Sequence, residues 1–171
     1  MNAEPLLRRI ARVFHEARLE AVMVGNAAAA LMGAPVTTLD IDFMFRKTPA
    51  NLKKLKALAD RLGGRVLRPY YPASSLYRVV NDDEGIQLDF MSVLHGIPSF
   101  EGLRAVAVVV DFGGFPLRVA PLEAVIRSKK ALGRPKDLAV TEILERTLRE
   151  KEALEKETLA KGIPGGSGKG E

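Results

Sequence analysis

The sequence predicts one α+β domain, a mixed β-sheet with helices packed against it, and three observations carry that reading. Apolar residues recur at helical spacing in some stretches and alternate at strand spacing in others, with glycine-containing turns between them. Two of those turns, Asn81 to Gly85 and Gly113 to Gly114, join strand patterns to one another as hairpins do. The length, 171 residues, suits one domain with a substantial core and is short for two.

The first helix is expected over residues 4–18, where Leu6, Leu7, Ile10, Val13, Phe14 and Ala17 share a face and Pro5 suits an early helical position. EAVMVG reads as a short buried strand ending at Gly25, and NAAAALMG as a helix capped by Asn26 and ended by Gly33. Over residues 37–45, TTLDIDFMF alternates Leu39, Ile41, Phe43 and Phe45 with Thr38, Asp40, Asp42 and Met44, the period of a strand with one apolar and one polar face. Thr48 then caps a helix that begins at Pro49, aligns Leu52, Leu55, Ala59 and Leu62, and closes at Gly63 and Gly64. RVLRPYYPASS is a short strand running into a proline-broken loop. In the hairpin that follows, Ile86, Leu88 and Phe90 face one way and Gln87, Asp89 and Met91 the other. AVAVVVDFGGFPLRVA supplies a further strand pair.

A helix starts at Pro121 and stops at Gly133, and another runs from Lys136 to about Lys161. The last helix carries an apolar stripe in Val140, Ile143, Leu144 and Leu148, but beyond Glu150 it is mostly glutamate and lysine and is expected to project into solvent. The domain is thus expected at residues 1–161, with C-terminal helices from about residue 121. Residues 162–171, GIPGGSGKGE, have the composition of a disordered tail.

Composition narrows the chemistry. With no cysteine, the chain has no disulfides, thiolate zinc sites or cysteine nucleophiles, and two histidines argue against a histidine-rich metal site. Any metal must be held by oxygen. No apolar run approaches a membrane span and no secretory leader is recognisable, so a cytoplasmic protein without a membrane partner is expected. The net charge of +5 accompanies clustered acids, which leaves excess positive charge elsewhere on the surface. That suits an anionic partner, although lysines and arginines that merely solvate helices give the same balance.

On the polar face of residues 37–45, Asp40 and Asp42 stand roughly 6 to 7 Å apart by the strand rise. Asp89 likewise faces away from the apolar residues of its own strand. If the two strands are neighbours, all three carboxylates point to one side, and such an oxygen-only set suits magnesium or manganese. Two such ions about 4 Å apart activate an attacking oxygen and neutralise a polyphosphate leaving group. Other readings stand beside this one: solvent-facing aspartates that protect an edge strand, or an arginine partner for Asp89. Asp111 is the rival third ligand, but it adjoins the Gly113 to Gly114 turn and is read as its cap. His15 is read as a helix-surface residue and His95 as a loop residue.

VMVGNAAAALMG followed by TTLDIDFMF and later by IQLDFMS resembles the core of the DNA polymerase beta-like nucleotidyltransferase superfamily: strand, glycine loop, helix, then a strand with two aspartates one residue apart. SFEGL, a strand pair and VAPLEAVIRSKKALGRPKDLAVTEIL are similar to small prokaryotic members related to toxin-antitoxin and abortive-infection components. The resemblance spans roughly residues 20–148. It implies a nucleotidyltransferase fold with the metal site at one edge of the sheet and helices on the other face, and two divalent ions, Mg²⁺ or Mn²⁺, held by Asp40, Asp42 and Asp89. A nucleoside triphosphate would lie against Gly25, Asn26 and Thr38, with Lys129, Arg134 and Lys136 bringing positive charge towards it. Gly25 is followed by Asn26 where the family usually has serine or glycine, and asparagine can still cap a helix whose free N–H groups face a phosphate.

The activity so implied is transfer of a nucleoside monophosphate to a hydroxyl of RNA, especially a tRNA end, or of a partner protein. The alternative is a module of the same fold that has lost efficient nucleotide binding and works by pairing with a protein or nucleic acid. The charged last helix would then meet a companion protein or a second copy.

Overall fold

The structure, a computed structural model, describes residues 4–69 and 75–162. In chain order its elements are α1 (Glu4–Ala17), β1 (Ala21–Val24), α2 (Gly25–Leu31), β2 (Ile41–Phe45), α3 (Pro49–Arg61), β3 (Arg65–Leu67), β4 (Tyr77–Asn81), β5 (Ile86–Met91), α4 (Phe100–Val106), β6 (Val108–Asp111), β7 (Pro116–Val119), α5 (Leu122–Leu132) and α6 (Pro135–Ala160). The strands form one mixed sheet in the order β3-β4-β5-β2-β1-β7-β6. β2 pairs parallel with β5 and β1 parallel with β7, while the other four contacts are antiparallel.

An aromatic cluster fixes the centre of the sheet. Phe43 of β2 and Phe90 of β5 are neighbours in register, their rings stacked with centroids 5.2 Å apart. Phe14 of α1 covers both, at 4.7 Å from Phe43 and 5.9 Å from Phe90. Phe45 meets Phe90 and Tyr77 edge-on. α1 packs on α3 and β7, and α2 packs on β1, β2 and α5, against which α6 lies. With helices on both faces, all four residues of β1 are buried, as is Met44, which the alternation had placed on a polar face.

The aspartate strand is shorter than the alternation implies. It begins at Ile41, and Leu39, expected to face the core, is 97% exposed. The reason lies in its neighbour: Val24, the last residue of β1, pairs with Asp42, and the chain then turns into α2, so residues 37–40 find no strand on that side. The helix after β1 also differs from the expected one. Gly25 takes a left-handed φ of +67° that other residues rarely adopt, which completes the turn one position early and puts Asn26 inside the first turn of α2, with no side-chain cap. α4 was not anticipated, because Gly102 interrupts it and the valines that follow favour strand. Its start carries a signal all the same, since Ser99 Oγ accepts from the Gly102 N–H at 3.0 Å.

The remaining elements lie where the periodicity puts them. Thr48 caps α3 by accepting from the Asn51 N–H at 3.1 Å, Gly133 ends α5 at φ +64°, and α6 starts one residue early, on Pro135. Beyond Glu150 its residues are almost all exposed, yet Lys151 Nζ donates to the Met32 carbonyl at 3.0 Å, which ties the base of this outer half to the end of α2. Most of the expected tail, and the centre of the loop after β3, lie outside the described residues.

Because Phe90 touches Phe14, Phe43 and Phe45 together, Phe90→Ala should cost about 3 to 5 kcal/mol, the usual range for emptying a buried aromatic site. Urea unfolding monitored by circular dichroism reads it as a fall in midpoint at unchanged slope.

Candidate functional site

Three strands meet at one rim of the sheet. β1 leaves it through Gly25, while β2 and β5 enter there side by side. Asp42 pairs with Val24 on one side and Asp89 on the other. Parallel neighbours put two carboxylates on backbones roughly 4.8 Å apart. Phe43 and Phe90, the next residues, face α1, so the aspartates face the opposite side of the sheet. β2 and β5 are interior strands, which removes the edge-strand explanation of these charges; the site lies at a rim formed by strand ends.

Asp42 is half-buried, and among the described residues its carboxylate forms no ion pair or side-chain hydrogen bond. Burial raises its pKa from 3.8 to about 6, helped by the charges of Asp89 and Asp40 and opposed by Lys129 and Arg78. Gly25 crosses directly over it: a Cβ there would stand 2.9 Å from Asp42 Oδ2. Asp40 lies in the loop before β2 and is exposed. The Thr38 hydroxyl accepts from the Asp40 N–H at 3.1 Å and sits 3.0 Å from the Asp40 carbonyl, so Thr38 shapes the loop that carries the first aspartate.

Asp89 is held differently. Arg78, opposite it in the β4–β5 hairpin, donates from Nε to Oδ1 at 2.7 Å and from Nη2 to Oδ2 at 2.9 Å. Sequence reasoning foresaw an arginine partner without naming it, although counting back from the Asn81 to Gly85 turn identifies residue 78. Asp111, the rival third carboxylate, sits on the far edge strand β6 and accepts from the Gly114 N–H at 3.0 Å.

The cations of the C-terminal helices divide. Lys129 of α5 is 12% exposed and close enough to sense Asp42; burial lowers its pKa, against the opposing pull of Asp137. Its Nζ lies 3.7 Å from Asp137 Oδ1. Arg134 clamps the same buried carboxylate through Nε and Nη2, and this contact holds the Asp137 carboxyl below its ordinary range. Asp137, which lies within the C-terminal stretch quoted above, thus organises Lys129 and Arg134. Lys136 is exposed and forms no ion pair among the described residues. Asn26 Oδ1 is buried without a hydrogen-bond partner.

The donor set suits a hard cation. Asp42 carries a charge that its surroundings penalise, Asp40 stands beside it, and Gly25 offers a cradle that a side chain would fill. As the side chains stand, no three acidic or histidine groups among the described residues are drawn together tightly enough to hold an ion, and both Asp89 oxygens are on Arg78.

The fold is that of the nucleotidyltransferases. ANT(2″)-Ia in complex with adenylyl-2″-tobramycin matches with a TM-score of 0.57 at 18% identity, over 95% of this chain and 97% of that one. The solution structure of the same antibiotic-resistance factor matches at 0.52 and 18%, over 92% and 96%. A Thermotoga maritima protein described as a candidate nucleotidyltransferase matches at 0.53 and 21%, over 85% and 92%. No protein-family model and no curated protein matches the chain.

A carboxylate whose folded pKa is raised binds its proton more tightly folded than unfolded, so between about pH 4 and pH 6 stability should fall as pH rises. With a chelator present, Asp42→Asn should flatten that slope and, at pH 7.5, stabilise the protein by something on the order of 2 to 3 kcal/mol. Thermal melts of both proteins across that pH range measure it.

Proposed function

We propose that the protein is a metal-dependent nucleotidyltransferase that moves a nucleoside monophosphate from a nucleoside triphosphate to a hydroxyl. The observation that carries this reading is the pairing of Asp42 with Asp89 on adjacent strands beneath the Gly25 turn, with Asp42 left uncompensated. Asp40 and Asp42 would hold Mg²⁺ or Mn²⁺, joined by Asp89 once it leaves Arg78. Such ions, when bound, lower the pKa of the attacking hydroxyl and neutralise charge on the leaving pyrophosphate.

The protein's own part is positioning. The acceptor oxygen forms a bond to the α-phosphorus, the bond from that phosphorus to the bridging oxygen of the β-phosphate breaks, and pyrophosphate departs. Asp89, once released by Arg78, would accept the hydroxyl proton. Gly25 lets the chain pass close to the phosphates, and Lys129, kept in place by Asp137, supplies positive charge on the side of Asp42. Asn26, Thr38, Arg134 and Lys136 complete the proposed nucleotide contacts. The acceptor we favour is RNA, especially a tRNA end, or a partner protein, in a toxin-antitoxin setting and in the cytoplasm. The net charge of +5 supports an anionic acceptor. That ANT(2″)-Ia was captured with adenylyl-2″-tobramycin adds a small hydroxylated molecule to those worth testing.

One observation favours a second reading, a partner-binding module without turnover: Arg78 occupies the third carboxylate. Labelled transfer separates the two. Each α-labelled triphosphate, with Mn²⁺ or Mg²⁺ and total RNA or cell protein, should yield labelled acceptor, and Asp42→Asn should abolish the label. Asp89→Asn should lower the rate more than roughly 100-fold, the lower end for losing a positioned acid-base or charge-stabilising group, while Asp111→Asn stays near wild type. Metal plus triphosphate should also raise the melting temperature of the wild type and leave that of Asp42→Asn unmoved. A melting temperature indifferent to both, with no label in any acceptor, selects the module.

A further inference from the structure

Building on the nucleotidyltransferase reading, we infer that Arg78 is an exchangeable counter-ion, bound to Asp89 in the ligand-free protein and transferred to the triphosphate when a divalent ion takes Asp89. Its guanidinium engages both oxygens of the carboxylate, the same atoms a cation needs. A divalent ion beside Asp89 also meets the positive charge of Arg78, so ion and arginine compete for one site. The arginine is the more exposed partner, with a side chain 32% exposed against 11% for Asp89.

The fork that grips a carboxylate fits phosphate oxygens equally well. Once displaced, Arg78 therefore has a second anionic partner only if a triphosphate is present. Metal alone must break the pair and leave the guanidinium without an acceptor, whereas metal with triphosphate exchanges one charged contact for another. Binding of the two is thereby coupled, and by linkage each strengthens the other by the same factor. The consequence is protection: the ion centre assembles when substrate arrives.

A purely structural cross-strand pair makes a different forecast, and Arg65 with Asp82 supplies the comparison. That pair also lies along the β3–β4–β5 part of the sheet, but both its side chains are more than 60% exposed.

The test uses the full chain with two probes: Mn²⁺ alone, followed by the electron paramagnetic resonance of the free ion, and preformed Mn²⁺–tripolyphosphate, followed by titration calorimetry. Arg78→Ala should bind Mn²⁺ alone roughly tenfold more tightly and the tripolyphosphate complex roughly tenfold more weakly, within the usual range of site coupling. Arg78→Lys keeps the charge without the fork and should fall between wild type and alanine on both measures, which preserves the test if the alanine variant folds poorly. Arg65→Ala should change neither. Wild type that binds the tripolyphosphate complex while Arg78→Ala binds Mn²⁺ no better, or loses both affinities together, overturns the exchange and leaves the nucleotidyltransferase reading standing. Wild type that binds neither probe overturns both.

Discussion

The parallel register between β2 and β5 is the constraint on which the rest depends. It sets Phe43 beside Phe90 on one face and Asp42 beside Asp89 on the other, one position apart along each strand. A slip of one residue would expose the aromatic rings and drive the carboxylates into the core. Packing of Phe14 on both rings therefore holds two like charges together that would otherwise separate. Aromatic burial on one side of the sheet stabilises an electrostatically unfavourable arrangement on the other.

Within that arrangement the charges are not equivalent. Asp89 has Arg78, and Asp137 has Arg134 and Lys129, but Asp42 has only distant cations. Lys129 is turned towards Asp137 at 3.7 Å and offers Asp42 a weak field. The uncompensated charge thus falls on the residue that is both central in the sheet and covered by Gly25, which has no side chain of its own to neutralise it.

Much of this was legible in the sequence, because the fold rests on signals that act locally. Apolar stripes, Thr48 before Pro49, and glycines at Gly33 and Gly133 state helices and their ends without reference to the rest of the chain. The face of Asp89 followed from simple alternation. What escaped depends on neighbours. The true start of β2 is set by the length of β1; the burial of Met44 by helices on the second face; and the early turn at Gly25 by a backbone angle that Asn26, the expected cap, was not needed to stabilise. Arg78 was recoverable by counting hairpin register, because Asn81 opposite Ile86 fixes Arg78 opposite Asp89. Asp137 was not: its partners come from the end of one helix and the turn into the next, and only the path through Gly133 brings them together.

That last point bears on how far the site extends. A sheet rim with three aspartates supplies the acidic side of the candidate site, but its positive side belongs to α5, whose placement depends on α6. Gly133, at φ +64°, reverses the chain so that Pro135 can start α6 with Asp137 in its first turn, where the acid also faces the positive end of its own helix. Asp137 then fixes Lys129 one helix away, and the Thr141 hydroxyl, 2.7 Å from the Asp137 carbonyl, braces that turn from within. Cutting the chain after β7 would keep every carboxylate of the rim and remove the half-buried lysine whose charge reaches Asp42. The C-terminal helices are therefore part of the candidate site's electrostatics.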